Sequence, residues 1–564
     1  MRNTTLFKSI FLGSLLLLSA CEDFLSPELD NSLQEEELLK NPAGVEGLLL
    51  RAYNLLPNDY NFNLDVASDD AVTNDRTSSF QKMATGAWRS NFDPNSKWSN
   101  SYQALNYIHL FLDKYESADW SNEEPAIKEG HLKRLKGEAH ALRAWHNFQL
   151  LQNHGGIGSD GKLLGFPILT KALSIEDNFQ LPRNTYAECV KQILDDCDVA
   201  IANLPVKYVN VGTDPVINNT IGSRFTNRVN GNAVKALKSR VLLYAASPAF
   251  AESEVTWEQA AKATGAFLKE AGGLTTVSAK GLTFFKTKDD PEIIWANSQV
   301  LKRSWEENNF PPSLFGKGRT NPTQELVDAF PMLNGYPINH PSSGYAANNP
   351  YKDRDPRLKE YIVYNGNSIK SAVSTYEGAA QDGINSLLTS TRTGYYIRKF
   401  MDSGVNFAPG TNVVNTQHFM THFRFTEVLL NYAEAANEAW GPDSDPEGFG
   451  FTARKIVEAI RKRAGLKLPD AYLTAITSKE DFRNLLRTER RIELCFEGHR
   501  FWDIRRWNDV ASMTLPVSSM TISTDQTKFT VSKVEDRLFQ PFMVYGPIPF
   551  NETLKYNIVQ NKGW

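Results

Sequence analysis

The stretch Glu427-Val428-Leu429-Leu430-Asn431-Tyr432-Ala433-Glu434-Ala435-Ala436-Asn437-Glu438 decides the fold class. Its small residues let one helix approach another closely, as packed helix pairs require. The same texture recurs at Ala139-His140-Ala141-Leu142-Arg143-Ala144 and at Ala236-Leu237-Lys238-Ser239-Arg240. Around these stretches the helical pattern spreads. Tyr102, Leu105, Ile108, Phe111 and Leu112 mark an apolar face over 99–115. Pro125 opens a helix running to Leu151, before Gly155-Gly156. Thr185 with Glu188, Thr256 with Gln259 and Thr477 with Glu480 have capping-box spacing, and open helices that end near Ile201, Ala271 and His499. Further helices are expected over 232–246, 425–439 and 452–464. No fixed period of 34 residues is present, so these are degenerate helical hairpins.

Residues 272–420 break the pattern. They are rich in Gly, Asn, Pro, Ser and aromatics, with short strands expected at 292–295 and 361–364. A loop-rich insertion of this size in a helical protein is usually where function sits. The segment 508–564 is also irregular. The N-terminus suggests export. Residues 1–20 carry Arg2, Lys8 and a short apolar run, too brief to span a bilayer, and read as a signal peptide. Ser19-Ala20-Cys21 resembles a lipobox, which makes Cys21 the lipid attachment site and residues 21–32 a tether. The body is 33–564, with 33–271 and 421–507 mainly helical scaffold.

Composition narrows the partners. The 564 residues carry 61 Lys plus Arg against 65 Asp plus Glu, a net charge of −4, which gives no reason to bind nucleic acid. Four cysteines in so long a chain exclude a disulfide-stapled fold. The densest charged block runs from Glu489 to Trp507, where Glu489, Glu493 and Glu497 stand four apart among arginines. Catalysis would need such carboxylates in an open cleft, whereas a structural ion-pair network needs only this spacing, and the second reading is adopted. His418 and His422 could share a metal on a helix, but there is no HExxH glutamate or cysteine cluster, so they are read as ordinary histidines. Asp443-Ser444-Asp445-Pro446 imitates a calcium loop, but its twelfth position is Arg454, and a turn is expected. No phosphate cradle or nucleophile elbow is present, and no metal or cofactor is expected.

Aromatic and amide chemistry remains. Trp295, Trp305, Phe310, Phe315, Phe330, Tyr336, Tyr345 and Tyr351 are interleaved with Asn308, Asn309, Arg319, Asn321 and Asn334. Flat rings cover the C–H face of a pyranose while amides and arginine bind its hydroxyls. Asp69-Asp70, Arg76 and Trp88 form a second polar–aromatic cluster. Asp69, Arg76, Trp88, Trp305, Phe315, Arg319 and Tyr345 are the candidate ligand residues.

Taken in order, the lipobox, Trp98-x-x-x-Tyr102, Glu138 to Ala144, Pro322-Thr323-Gln324-Glu325-Leu326, Arg354-Asp355-Pro356-Arg357-Leu358, Arg398-Lys399-Phe400, Glu427 to Ala435, Glu489 to Trp507 and the terminal Gln560 to Trp564 resemble the SusD/RagB family of outer-membrane nutrient-binding lipoproteins. Lys562 stands where that family often has proline. The resemblance implies a mostly α fold, with about four tetratricopeptide-like helix pairs and an irregular loop-rich subdomain carrying the ligand site. It implies no catalysis and a lipid-anchored place on the extracellular face of a Bacteroidetes-type outer membrane. The partners it implies are a glycan and a SusC-like TonB-dependent transporter. Two other readings stay open: a transporter-gating protein with weak glycan affinity, and a binder of another nutrient such as peptides. An exported glycoside hydrolase would rest only on the abundant carboxylates.

Overall fold

The computed structural model describes residues 35–279 and 281–564; the leader, Cys21 and the tether lie outside the described residues. Four helix pairs form the scaffold. Helix α1 (Pro42–Asn54) packs on α2 (Trp98–Lys114), and α3 (Pro125–His154) on α4 (Tyr186–Asn203). Helix α5 (Gly231–Ala245) packs on α6 (Trp257–Ala271), and α7 (Phe425–Trp440) on α8 (Ala453–Ala464). Successive pairs meet through α2–α3, α4–α5 and α6–α7, and α9 (Lys479–Glu493) leans on α7. Among the described residues no helix is long and apolar enough to cross a membrane.

Sequence periodicity predicts every one of these helices except α1. Its start is signalled by Asn41, whose side chain accepts from the Gly44 N–H, and by Pro42 in the first turn. The capping boxes at Thr185 and Thr256 form as expected. The third does not: Ser478 caps α9 instead, accepting from the Asp481 N–H. Helix α9 also stops at Glu493 rather than near His499. Phe496 and Gly498 turn the backbone left-handed, at φ 62° and 76°. Arg424 and Lys399 both donate to the Glu493 carbonyl and Lys399 also to that of Cys495, satisfying groups a helix would otherwise use. A short helix α10 (Arg500–Arg506) follows. The close approach of α6 to its neighbours depends on Gly265, where a Cβ would lie 2.3 Å from the Phe449 ring and 2.8 Å from Tyr432.

The helices enclose a large apolar core, running from Trp98 and Leu105 through Phe148, Leu242 and Leu429 to Ile504, and a smaller one among α1, α2 and α3 that includes Val45, Leu49, Ile108 and Leu142. A separate core holds the irregular part and includes Phe284, Trp305, Phe310, Phe330, Tyr361, Tyr395 and Phe400. Residues distant in sequence join this core. Tyr60 stacks on Phe400 at 4.1 Å, Met520 and Ile522 enter from a hairpin of strands Val517–Ile522 and Phe529–Glu535, and a shorter ribbon ties the early chain to the irregular part. That ribbon is antiparallel, β1 (Ala71–Thr73) on β2 (Thr320–Pro322), with Ala71 opposite Pro322 and Thr73 opposite Thr320. The last residues return to the first helix pairs. The Leu538 N–H donates to the Ala84 carbonyl, the Asn561 amide to that of His154, and the Trp88 and Trp564 rings meet at 4.9 Å.

Candidate functional site

The charged block from Glu489 to Trp507 lies at the seam between the large helical core and the core of the irregular part. Glu493, fully buried, accepts from Arg357 and Arg424 at 3.1 Å each and from Arg463. Burial pushes this carboxyl up, but Arg463, Arg424 and Arg357 outweigh it and hold it below the usual carboxylate range. Glu497 takes Arg424 at 2.8 Å and Lys399 at 2.7 Å, and Arg424 also reaches Glu292 at 2.9 Å. Further along, Arg506 binds Glu434 and Asp503, while Arg490 binds Asp503 at 2.8 Å. Burial opposes the charge on Glu434, yet Arg506 brings its pKa down to about 2. Arginines satisfy these acids on several sides, so the block fastens segments and presents no open carboxylate pair.

The seven candidate ligand residues fall into three groups. Asp69, Trp88 and Trp305 are interior. Both Asp69 carboxylate oxygens are held by Arg500, at 2.7 and 2.8 Å, and Arg491 stands 3.0 Å away. Burial would raise its pKa; Arg491 and Arg500 lower it. Trp88 packs against Trp564 and Phe501 beneath the Arg505 guanidinium. Trp305 donates its indole N–H to Asp59 at 2.7 Å and packs against the His418 ring, tilted, at 4.1 Å. In this conformation these three side chains are engaged by protein. Sequence alone offers no means of telling an interior tryptophan from an exposed one in an irregular segment.

Tyr345 stands apart, half-buried, with the Arg354 guanidinium 5.6 Å from its ring centroid. The other three lie on two loops that meet. Asn74, just beyond β1, donates its amide to the carbonyls of Lys317 (2.8 Å), Gly318 (3.0 Å) and Ser390 (3.3 Å). This clamps three loops side by side. Arg319 lies 3.6 Å from Asp75, and Arg76 follows, exposed. Phe315 is 56% exposed in a tight turn with φ 65°, and Leu388 is 89% exposed on the third loop. A phenylalanine held out to solvent in a left-handed conformation, on the same loop as Arg319, is suited to contact with a ligand that has an apolar face and a polar rim. Asn74, Lys317 and Leu388 were not legible as members of this face, because only the ribbon pairing brings 74–76 beside 315–319.

The remaining motifs resolve into structure. His418 and His422 lie on separate short strands, Thr416–His418 and Thr421–Arg424. His418 faces Glu306 at 3.1 Å, and His422 is buried against Trp295 at 4.2 Å. Among the described residues no group of three or more His, Cys, Asp or Glu could hold a metal. Asp443 to Gly448 forms the turn between α7 and α8, closed by Arg454 on Asp443 at 2.6 Å. Cys189, Cys197 and Cys495 are buried free thiols.

A family model described as SusD family matches residues 291–564, and one described as starch-binding, associating with outer membrane, matches residues 23–241. A SusD-like protein of Formosa agariphila is 23% identical over 547 residues, covering 91% of this chain and 94% of its own. A SusD-like protein from Bacteroides fragilis superposes with a TM-score of 0.75 at 26% identity, over 94% of this chain and 99% of that one. A second B. fragilis structure, described as a SusD-like carbohydrate binding protein, has a TM-score of 0.71 at 21% identity over 92% of this chain and 98% of its own, and at that identity shows shared fold.

Proposed function

This chain belongs to the SusD family, and on that premise we propose that it is a non-catalytic, lipid-anchored glycan-binding protein on the extracellular face of the outer membrane. It captures oligo- or polysaccharide and passes it to a SusC-like TonB-dependent transporter. The observation that carries the reading is the exposed Phe315 ring on the loop that carries Arg319, which the Asn74 amide and the β1–β2 ribbon hold beside the loop that carries Arg76. The short apolar leader and Cys21 support the anchor. The lack of catalysis is supported by the densest carboxylates, which are buried and neutralised by arginine at the seam. The carbohydrate-binding relative and the starch-binding family description support the ligand class.

Affinity electrophoresis against a panel of soluble polysaccharides tests the reading. The wild type is expected to be retarded by at least one glycan, and Phe315→Ala with Arg319→Ala to weaken retardation by about tenfold at an unchanged melting temperature. Absence of retardation by every glycan, with a peptide nutrient bound instead, would sink it. So would a double variant as strongly retarded as wild type.

A further inference from the structure

We propose that a cleft at the opposite end of the β1–β2 ribbon is a second ligand site, which takes a single acidic sugar unit through Arg487. The cleft has a volume of about 560 Å³ and is lined by Glu325, Asp328, Tyr472, Asn484, Arg487 and Thr488 among others. That size lies within the range of small-molecule sites. It is separate from the Phe315 face. At the cleft end the Thr323 N–H donates to the Asp70 carbonyl and Arg491 binds Asp70 at 2.7 Å; at the other end stands the Asn74 clamp.

Four arginines line the cleft, and three are occupied. Arg461 binds Asp470 at 2.6 Å, Arg491 binds Asp70, and Arg500 binds Asp69 at 2.7 Å. Arg487 differs. Its guanidinium lies 4.6 Å from the Trp507 ring centroid, its Nε is buried without an acceptor, and among the described residues no carboxylate stands within ion-pair distance. Burial, with Arg506 and Arg483 nearby, pulls its pKa below the ordinary arginine value against the opposing pull of Glu434 and Asp509. A stacked, half-buried guanidinium with an open fork is a preformed receptor for a carboxylate or sulfate.

The acids on the other wall decide what else the ligand must carry. Asp328 accepts from Gln324 at 2.7 Å through Oδ1, and Glu325 accepts from the Ser518 N–H at 3.0 Å through Oε2. Each keeps a second oxygen for a donor. A simple anion would be repelled there, whereas sugar hydroxyls would donate to both. The half-buried Tyr472 ring adds an apolar wall. One anionic group with several hydroxyl donors describes a uronate or a sulfated sugar. The sugar part rests on the glycan-binding reading; the Arg487 part does not.

Calorimetry with three probes, digalacturonate, a sulfated disaccharide and cellobiose, tests it on wild type, Arg487→Gln and the Phe315→Ala/Arg319→Ala variant. At least one acidic probe should bind wild type better than cellobiose, weaken with added salt, and bind Arg487→Gln about tenfold more weakly. The loop-face variant should bind that probe like wild type, so that loss of the first site and loss of the second are told apart. Which acidic probe binds identifies the anion as carboxylate or sulfate. If neither acidic probe exceeds cellobiose, or if Arg487→Gln binds like wild type, the assignment is overturned. Should Arg487→Gln melt early, Asn484→Trp, an exposed position on the wall, must abolish binding of the acidic probe by filling the cleft, and unchanged binding overturns the assignment.

Discussion

Glu493 shows how much a single residue can organise here. Three arginines from distant segments, Arg357, Arg424 and Arg463, converge on its carboxylate in the interior. Removing the acid leaves those cations short of a counter-charge in a place water does not reach. Glu493→Gln should therefore cost about 3–5 kcal/mol, measured as a fall in the urea midpoint at unchanged slope. A loss below about 1 kcal/mol would mean that Glu292 and Glu497 carry the charge balance without it. The structural role of this block was legible, because acids and arginines at four-residue spacing beside apolar Ile492 and Leu494 read as a packed helix face. Its partners were not. Arg357 and Arg424 lie in segments whose route through space no local pattern reveals.

Helices were legible where periodicity and caps agreed, and misread where tertiary contacts intervened. Helix α9 ends early because Lys399 and Arg424 reach in from other segments to take its last carbonyls. Helix α1 is poorly legible because Gly44 and Gly47 weaken its helical signal. The strongest element-scale constraint is Gly265, since α6 touches Phe449 and Tyr432 at that point without room for a side chain. Gly265→Val is expected to lose about 1–3 kcal/mol through overpacking, despite the better helix propensity of valine over glycine. A differential scan of the variant checks this, and a melting temperature at or above wild type would refute the tight packing. For the proposed ligand face legibility was partial. Arg76, Phe315 and Arg319 were among the candidates, yet Asp69, Trp88 and Trp305, chosen by the same chemistry, are engaged inside the protein.

At the scale of the molecule, pH tests how the body holds together. His146 and His154 are fully enclosed, and burial lowers each to a pKa of about 4; His422, buried beside Arg240, falls to about 3. In the unfolded chain each titrates near its ordinary value of about 6.5. Above that value both states are neutral and nothing is lost. As pH falls from 6.5 towards 4 the unfolded chain takes up protons that the folded one refuses, so stability drops by up to about 1.4 kcal/mol per histidine per pH unit. Urea midpoints should be flat from pH 8 to 7 and fall steeply below 6. A flat profile down to pH 5 would contradict the neutral burial of these rings.

The closing contacts between the chain's early and late parts also set an order of events. Ala84, Trp88 and His154 are covered by Leu538, Trp564 and Asn561, and β1 finds its partner strand only some 250 residues later, at 320–322. A chain that emerges from synthesis N-terminus first can form its local helices as they appear, yet it cannot seal them. The surface meant for residues 538–564 stays open until the final segment has been made. Completion is therefore timed by the last residues, and that waiting interval is when the chain is most open to proteases and to aggregation.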